Sequence, residues 1–70
     1  MTANDIGLRI GEYIKERGYN QAEVARKNGM TPVSFNRIIN GYRKIDCVTY
    51  FKICKFLELP LEYFFEKAND

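Results

Sequence analysis

The side chains in this sequence best suited to chemistry are its cations, and they are unevenly spread. Residues 24–45 carry Arg26, Lys27, Arg37, Arg43 and Lys44 and no acid, a net charge of +5. Residues 1–23 set Arg9, Lys15 and Arg17 against Asp5, Glu12, Glu16 and Glu23, net −1. Residues 46–70 set Lys52, Lys55 and Lys67 against Asp46, Glu58, Glu62, Glu66 and Asp70, net −2. The modest formal charge of +2 therefore hides one continuous basic stretch. Clustered Lys and Arg form the electrostatic footprint expected for a polyanion partner. A solvated basic face without a partner would give the same count, so the elements that carry these residues must decide.

Other chemistries are excluded or left without support. Histidine is absent, which removes imidazole catalysis and most zinc sites. No catalytic constellation exists, so the expectation is no enzyme, no cofactor and no metal. Cys47 and Cys54 lie seven apart in a segment that reads as helix. Seven helical residues span ~10.5 Å, whereas a disulfide needs Cα atoms within ~7 Å, so an internal disulfide is excluded. Cys54 falls on an apolar stripe and reads as a small core residue. Nothing near Cys47 in the sequence would activate it.

The chain has 70 residues, 46% hydrophobic and 29% charged, the size of one domain spanning 1–70. A domain this small buries only ~60% of the surface its unfolded chain exposes, so dimerisation would add to a thin margin. There is no apolar run long enough for a membrane span and no signal-peptide pattern. A cytoplasmic protein with no membrane partner is expected.

The elements positioning the cations are helical. Ile6, Ile10, Tyr13 and Ile14 repeat on one helix face, with Asn4 or Asp5 available as cap and Gly18 as the stop. Gly11 interrupts this helix at a cost of ~1 kcal/mol relative to Ala, which suggests a close approach. Asn20, with Glu23 three residues on, resembles a capping box for a second helix over 21–28. Asn28-Gly29 breaks it. Thr31 as N-cap and Pro32 in the first turn open a third helix over 32–39, which Asn40-Gly41 stops. Tyr42 to Ile45 reads as loop. Asp46 caps a fourth helix over 47–57, with Tyr50, Ile53, Cys54 and Leu57 on one stripe, and a short fifth helix covers 61–67. The expected core includes Ile10, Val24, Ala25, Phe35, Ile38, Ile53, Leu57 and Phe64. The fold class is all-α, with five short helices and tight connections.

The second and third helices are separated by a few residues containing Gly, the spacing of a helix-turn-helix. Ala25 supplies the small residue such a crossing needs. Gly29 supplies a turn residue tolerant of positive φ. Phe35 and Ile38 pin the third helix inward, which turns residues 32, 33, 36, 37 and 40 outward.

The window Gln21-Ala22-Glu23-Val24-Ala25-Arg26-Lys27-Asn28-Gly29-Met30-Thr31 resembles the phage repressor/Cro-like helix-turn-helix family, also called the XRE family. The resemblance extends from Ile6-Gly7 through Asn40-Gly41 to Leu61-Glu62-Tyr63-Phe64-Phe65, in register over all five helices. It implies a compact five-helix lambda-repressor-like DNA-binding domain with its helix-turn-helix core at about 21–40. By the same resemblance Pro32, Val33, Asn36 and Arg37 read bases, with Ser34 near the DNA backbone. Gln21, Asn40, Arg43 and Lys44 match phosphate-binding positions. Base chemistry agrees: Arg37 can pair with guanine O6 and N7, Asn36 can read adenine, and Val33 can touch a thymine methyl. Pro32 also serves simply as a helix starter.

Departures from the family are informative. Many relatives carry Arg at the position of Ile14 and Glu at that of Ile39, forming a semi-buried ion pair. Replacing both partners by apolar residues can be neutral or stabilising, whereas losing one leaves an unpaired charge. The double change implies that the two residues share a contact. Glu58 stands where relatives often end the fourth helix with Gly, which implies strain at that corner. Pro60 stands where a capping Ser is usual.

Five Tyr and five Phe are more rings than a core this small can bury. Those of the last two helices, where the net charge is negative, suggest a two-fold interface involving Phe56, Tyr63 and Phe65, although core packing with scattered surface rings would also account for them. Two functions follow. One is a sequence-specific double-stranded DNA-binding regulator, a repressor acting as a homodimer on a palindromic operator. The other is a protein-interaction module, such as an antitoxin or anti-repressor partner, with weak DNA affinity.

Overall fold

The computed structural model describes residues 2–68, with side chains described for 2–65. Five helices follow in order: α1 (Ala3–Glu16), α2 (Gln21–Lys27), α3 (Pro32–Ile39), α4 (Cys47–Leu57) and α5 (Tyr63–Ala68). No strand forms among the described residues.

Each of the first four helices starts where local chemistry satisfies its first amides. Asn20, Thr31 and Asp46 cap α2, α3 and α4 by accepting from the N–H groups of Glu23, Ser34 and Thr49. The first helix departs from expectation. Its cap is Thr2, not Asn4 or Asp5, and Asp5 occupies the third helical position of a complete capping box. The Thr2 hydroxyl accepts from the Asp5 N–H at 3.2 Å, and the Thr2 N–H donates back to the Asp5 carboxylate at 2.9 Å. Asn4 is thereby free to bond far along the chain, and its side-chain amide donates to the Gly41 carbonyl at 2.9 Å.

Two other boundaries differ slightly. The second helix ends at Lys27, and Asn28 turns its side chain back to donate to the Val24 carbonyl at 2.7 Å. The fifth helix begins at Tyr63 rather than 61, because Pro60 and Leu61 form a corner instead of a first turn. The Tyr63 N–H donates to the Pro60 carbonyl at 3.1 Å, and the Tyr50 hydroxyl donates to the Leu61 carbonyl. Burial pushes the Tyr50 hydroxyl pKa up, with Cys54 adding to the shift, so it stays a donor. Glu58 ends α4 in the left-handed region at φ 58, the strained corner expected where relatives place Gly.

The core is one cluster. All eight expected core residues are buried, Ile10, Ala25, Phe35, Ile53 and Phe64 completely. Ile6, Tyr13, Ile14, Ile39 and Ile45 join them. Ile45 lies in a loop, as its sequence context predicts, yet its side chain is buried. Cys54 is a free, buried thiol whose pKa burial raises, and Cys47 is free and exposed.

The first helix packs on both α3 and α5, and α2 packs on α3. The α1–α3 crossing depends on missing side chains. A Cβ on Gly7 would collide with the Ile38 carbonyl oxygen, and one on Gly11 would lie 2.9 Å from the Ile39 Cβ. The close approach suggested by Gly11 is therefore real, and it sets the height of α3 above the core.

Candidate nucleic-acid interface

The third helix presents two unlike faces. Phe35, Ile38 and Ile39 are buried, while Pro32, Val33, Asn36, Arg37 and Asn40 are exposed. Val33 is 66% exposed, so its methyl groups are available to an apolar partner. Ser34 is half-buried and takes part in the cap, its N–H donating to the Thr31 hydroxyl at 3.2 Å and its hydroxyl oxygen accepting from that hydroxyl at 3.1 Å, which leaves its own O–H to donate. Pro32 sits in the first turn, where its lack of an N–H costs nothing.

The turn before α3 is built as the spacing requires. Gly29 has φ 75, a conformation that L side chains rarely adopt. The Met30 N–H donates to the Ala25 carbonyl at 2.9 Å, closing the end of α2. Ala25 has no exposed surface, consistent with its place at the crossing.

Gln21 opens α2 half-buried, and it shares an open groove of about 560 Å³ with Asn36 and Asn40. The structure thus brings three predicted DNA-binding positions, from two helices and the cap of α3, to one depression between α1 and α3. Ile14 and Ile39 both line this groove. Lys15, Glu12 and Tyr19 complete the rim on the α1 side. The Asn40 amide donates to the Asn36 carbonyl at 2.8 Å, which fixes its orientation and leaves a second amide hydrogen for a ligand.

Arg43 and Lys44 are exposed on the loop after α3. This loop is tied to α3: the Tyr42 and Arg43 N–H groups both donate to the Arg37 carbonyl, at 2.9 and 3.2 Å. The cations expected to read bases and to bind phosphate are therefore held by one rigid unit. Tyr42, in the same loop, is the most exposed large hydrophobic residue described, at 83%. Its position outside any helical pattern gave no signal of that.

The three rings assigned to an interface do not lie in one groove. Phe56 is half-buried beside Tyr19, with ring centroids 6.2 Å apart, in a depression lined by Phe51, Lys27, Lys52 and Lys55. Tyr63 is half-buried and packs edge-on to Tyr13 and Phe64. Phe65 is 47% exposed and meets Tyr50 edge-on at 5.7 Å. It lines an apolar groove with Ala3, Ile6 and Ile45. Val48, Phe51 and Leu61 are also exposed; Val48 and Leu61 carry no periodic signal distinguishing them from core residues.

No helix among the described residues is long and apolar enough to cross a membrane. No curated protein matches the chain. A family model described as helix-turn-helix matches residues 10–64, from within α1 into α5, and so covers the α2–turn–α3 unit and the Arg43–Lys44 loop. With that match added to the capped α2–turn–α3 unit and its exposed basic face, the chain belongs to the Cro/C1-type (XRE) helix-turn-helix family of DNA-binding transcription regulators.

Proposed function

We propose that this regulator is a repressor that binds a palindromic operator as a two-fold dimer, with α3 in the major groove of each half-site. One observation carries the reading. The exposed face of α3 is continuous with the tethered Arg43–Lys44 loop, inside a stretch that contains no acid. On this reading Pro32, Val33, Asn36 and Arg37 meet base edges, and Gln21, Ser34, Asn40, Arg43 and Lys44 hold the DNA backbone. A single short helix reads only a few base pairs, and five local cations give mostly non-specific, salt-sensitive affinity. Two copies with recognition helices ~34 Å apart read two half-sites together. The exposed apolar side chains of α4 and α5, Phe65 among them, supply the surface for the second copy. The basic face would repel its own twin. Repression is favoured because occupying a promoter blocks it without any further contact.

Selection of bound duplexes from a random library tests this. Enrichment of an inverted repeat is expected, and a promoter overlapping that repeat should lose transcription when the protein is added. Enrichment of no sequence at all would favour the protein-interaction module instead.

A further inference from the structure

The loop between α3 and α4 carries a large aromatic side chain that the helix-turn-helix architecture leaves without a role. Single exposed hydrophobic residues are ordinary on protein surfaces, so the exposure of Tyr42 alone means little. Its mounting is what distinguishes it. Gly41, at φ 79, swings the chain away from α3, and its carbonyl accepts from the Asn4 side chain of α1. The Leu8 side chain lies beneath the same glycine, within 3.4 Å of where a Cβ would stand. The Tyr42 N–H is then held by the Arg37 carbonyl. Three attachments to two helices hold the Gly41–Tyr42 backbone, while Tyr42 itself remains 83% exposed. Most of the ordering entropy of binding is already spent in such a loop. In the chain Tyr42 also stands between Arg37, on the exposed face of α3, and Arg43, at an expected phosphate-binding position.

We infer that Tyr42 is an uncharged DNA-backbone contact, its ring packed on a deoxyribose of the strand that Arg43 and Lys44 neutralise and its hydroxyl donating to the neighbouring phosphate. The chemistry of a duplex selects this target. Stacked bases offer no free faces to a loop lying outside the groove, whereas the backbone offers an apolar sugar next to an anionic acceptor. A phenol matches both, and it releases no counterion because it carries no cation. Tyr42 therefore adds affinity that does not fade with salt, beside neighbours whose contribution does. The inference rests on the DNA-binding reading but not on the operator or the dimer, because backbone contacts carry no sequence information.

The test is binding of the full chain to a short duplex of arbitrary sequence across a salt series. Tyr42→Ala should weaken binding about tenfold or more at every salt concentration, the size of one hydrogen bond to a charged acceptor plus lost packing. Its plot against salt should run parallel to the wild type. Tyr42→Phe keeps the ring and should fall between the two. Arg43→Ala should instead flatten the slope by about one charge. Thermal melts of the Tyr42 variants should match the wild type, since the side chain is almost wholly in solvent. Superposition of Tyr42→Ala on the wild type would overturn the contact. A flattened slope for Tyr42→Ala, or an altered base preference in selection, would overturn its assignment as an uncharged backbone contact. Absence of any salt-dependent duplex binding by the wild type is a different result, which would sink the DNA reading itself.

Discussion

Gly11 and Ile39 meet across the α1–α3 crossing so closely that a Cβ added to the glycine would stand 2.9 Å from that of the isoleucine. The absence of one methyl group lets α3 sit low on α1, and the same is true of Gly7 under the Ile38 carbonyl. Gly11→Ala should therefore destabilise the fold even though it improves helix propensity. The overpacking cost of ~1–3 kcal/mol exceeds the ~1 kcal/mol propensity gain. At ~4–8 °C per kcal/mol for a domain of this size, calorimetry should show a lower melting temperature. Gly7→Ala should lower it further, because its Cβ would stand only 2.2 Å from the Ile38 carbonyl oxygen. A raised melting temperature for either variant would contradict the close crossing.

One turn along the same seam, Ile14 and Ile39 occupy positions where many relatives hold an ion pair, and both are buried. Ile14→Arg alone should cost ~3–5 kcal/mol, because it leaves a buried charge unpaired. Adding Ile39→Glu should recover a large part of that loss. Chemical denaturation of the two single variants and the double variant measures the coupling. Additive effects would mean that the two side chains do not share a contact.

Arg37 and the Arg43–Lys44 pair should separate cleanly in DNA binding. Arg37→Ala should relax base preference at one operator position at a cost of ~1–3 kcal/mol. Arg43→Ala or Lys44→Ala should weaken all sequences alike and reduce the salt slope by ~1. Repeating the selection with each variant reads both effects. A changed consensus with Arg43→Ala and an unchanged one with Arg37→Ala would invert the assignment.

Phe65 is the sharpest probe of the proposed dimer, since it is half exposed and its ring contact is with Tyr50, itself only partly buried. Phe65→Glu should leave the chain folded, reduce its mass in sedimentation to that of a monomer, and abolish specific binding while weak salt-sensitive binding persists. A folded variant with wild-type mass and full operator affinity would exclude this interface.

Acid should loosen two helix starts. The N–H of Thr49 holds the Asp46 carboxyl below its usual 3.8, and the N–H of Thr2 does the same for Asp5. Both are more acidic folded than unfolded, so their ionised forms stabilise the fold. That contribution is complete above the unfolded value and disappears as pH falls from about 4 through the lower folded values. Asp46→Asn keeps a capping oxygen and should flatten this part of the stability–pH curve. An unchanged acid limb would show that the cap charge contributes nothing.

Much of this protein is legible in the order of its residues. Asn20, Thr31 and Asp46 cap helices because each carries an acceptor that reaches an amide three residues on, a matter of local geometry alone. The outward face of α3 follows from two apolar residues, Phe35 and Ile38, because helical spacing leaves no other side for Asn36 and Arg37. The sequence also contains Thr2 and Asp5 in capping-box spacing, but the stronger capping tendency of Asn4 obscures it. Only the fold resolves that competition, by giving the Asn4 amide a partner 37 residues away. Ile45 belongs to the core although no helix carries it, because burial depends on what packs above a loop rather than on the loop's own pattern. The cost of Gly11 within a helix can be read from sequence, but its compensation cannot, since that lies in Ile39 on another helix. The same holds for the aromatic residues. Spacing cannot say which rings pack on Tyr13 and Phe64 and which, like Tyr42 and Phe65, are left facing solvent, because ring contacts are made between helices and only their relative placement decides them.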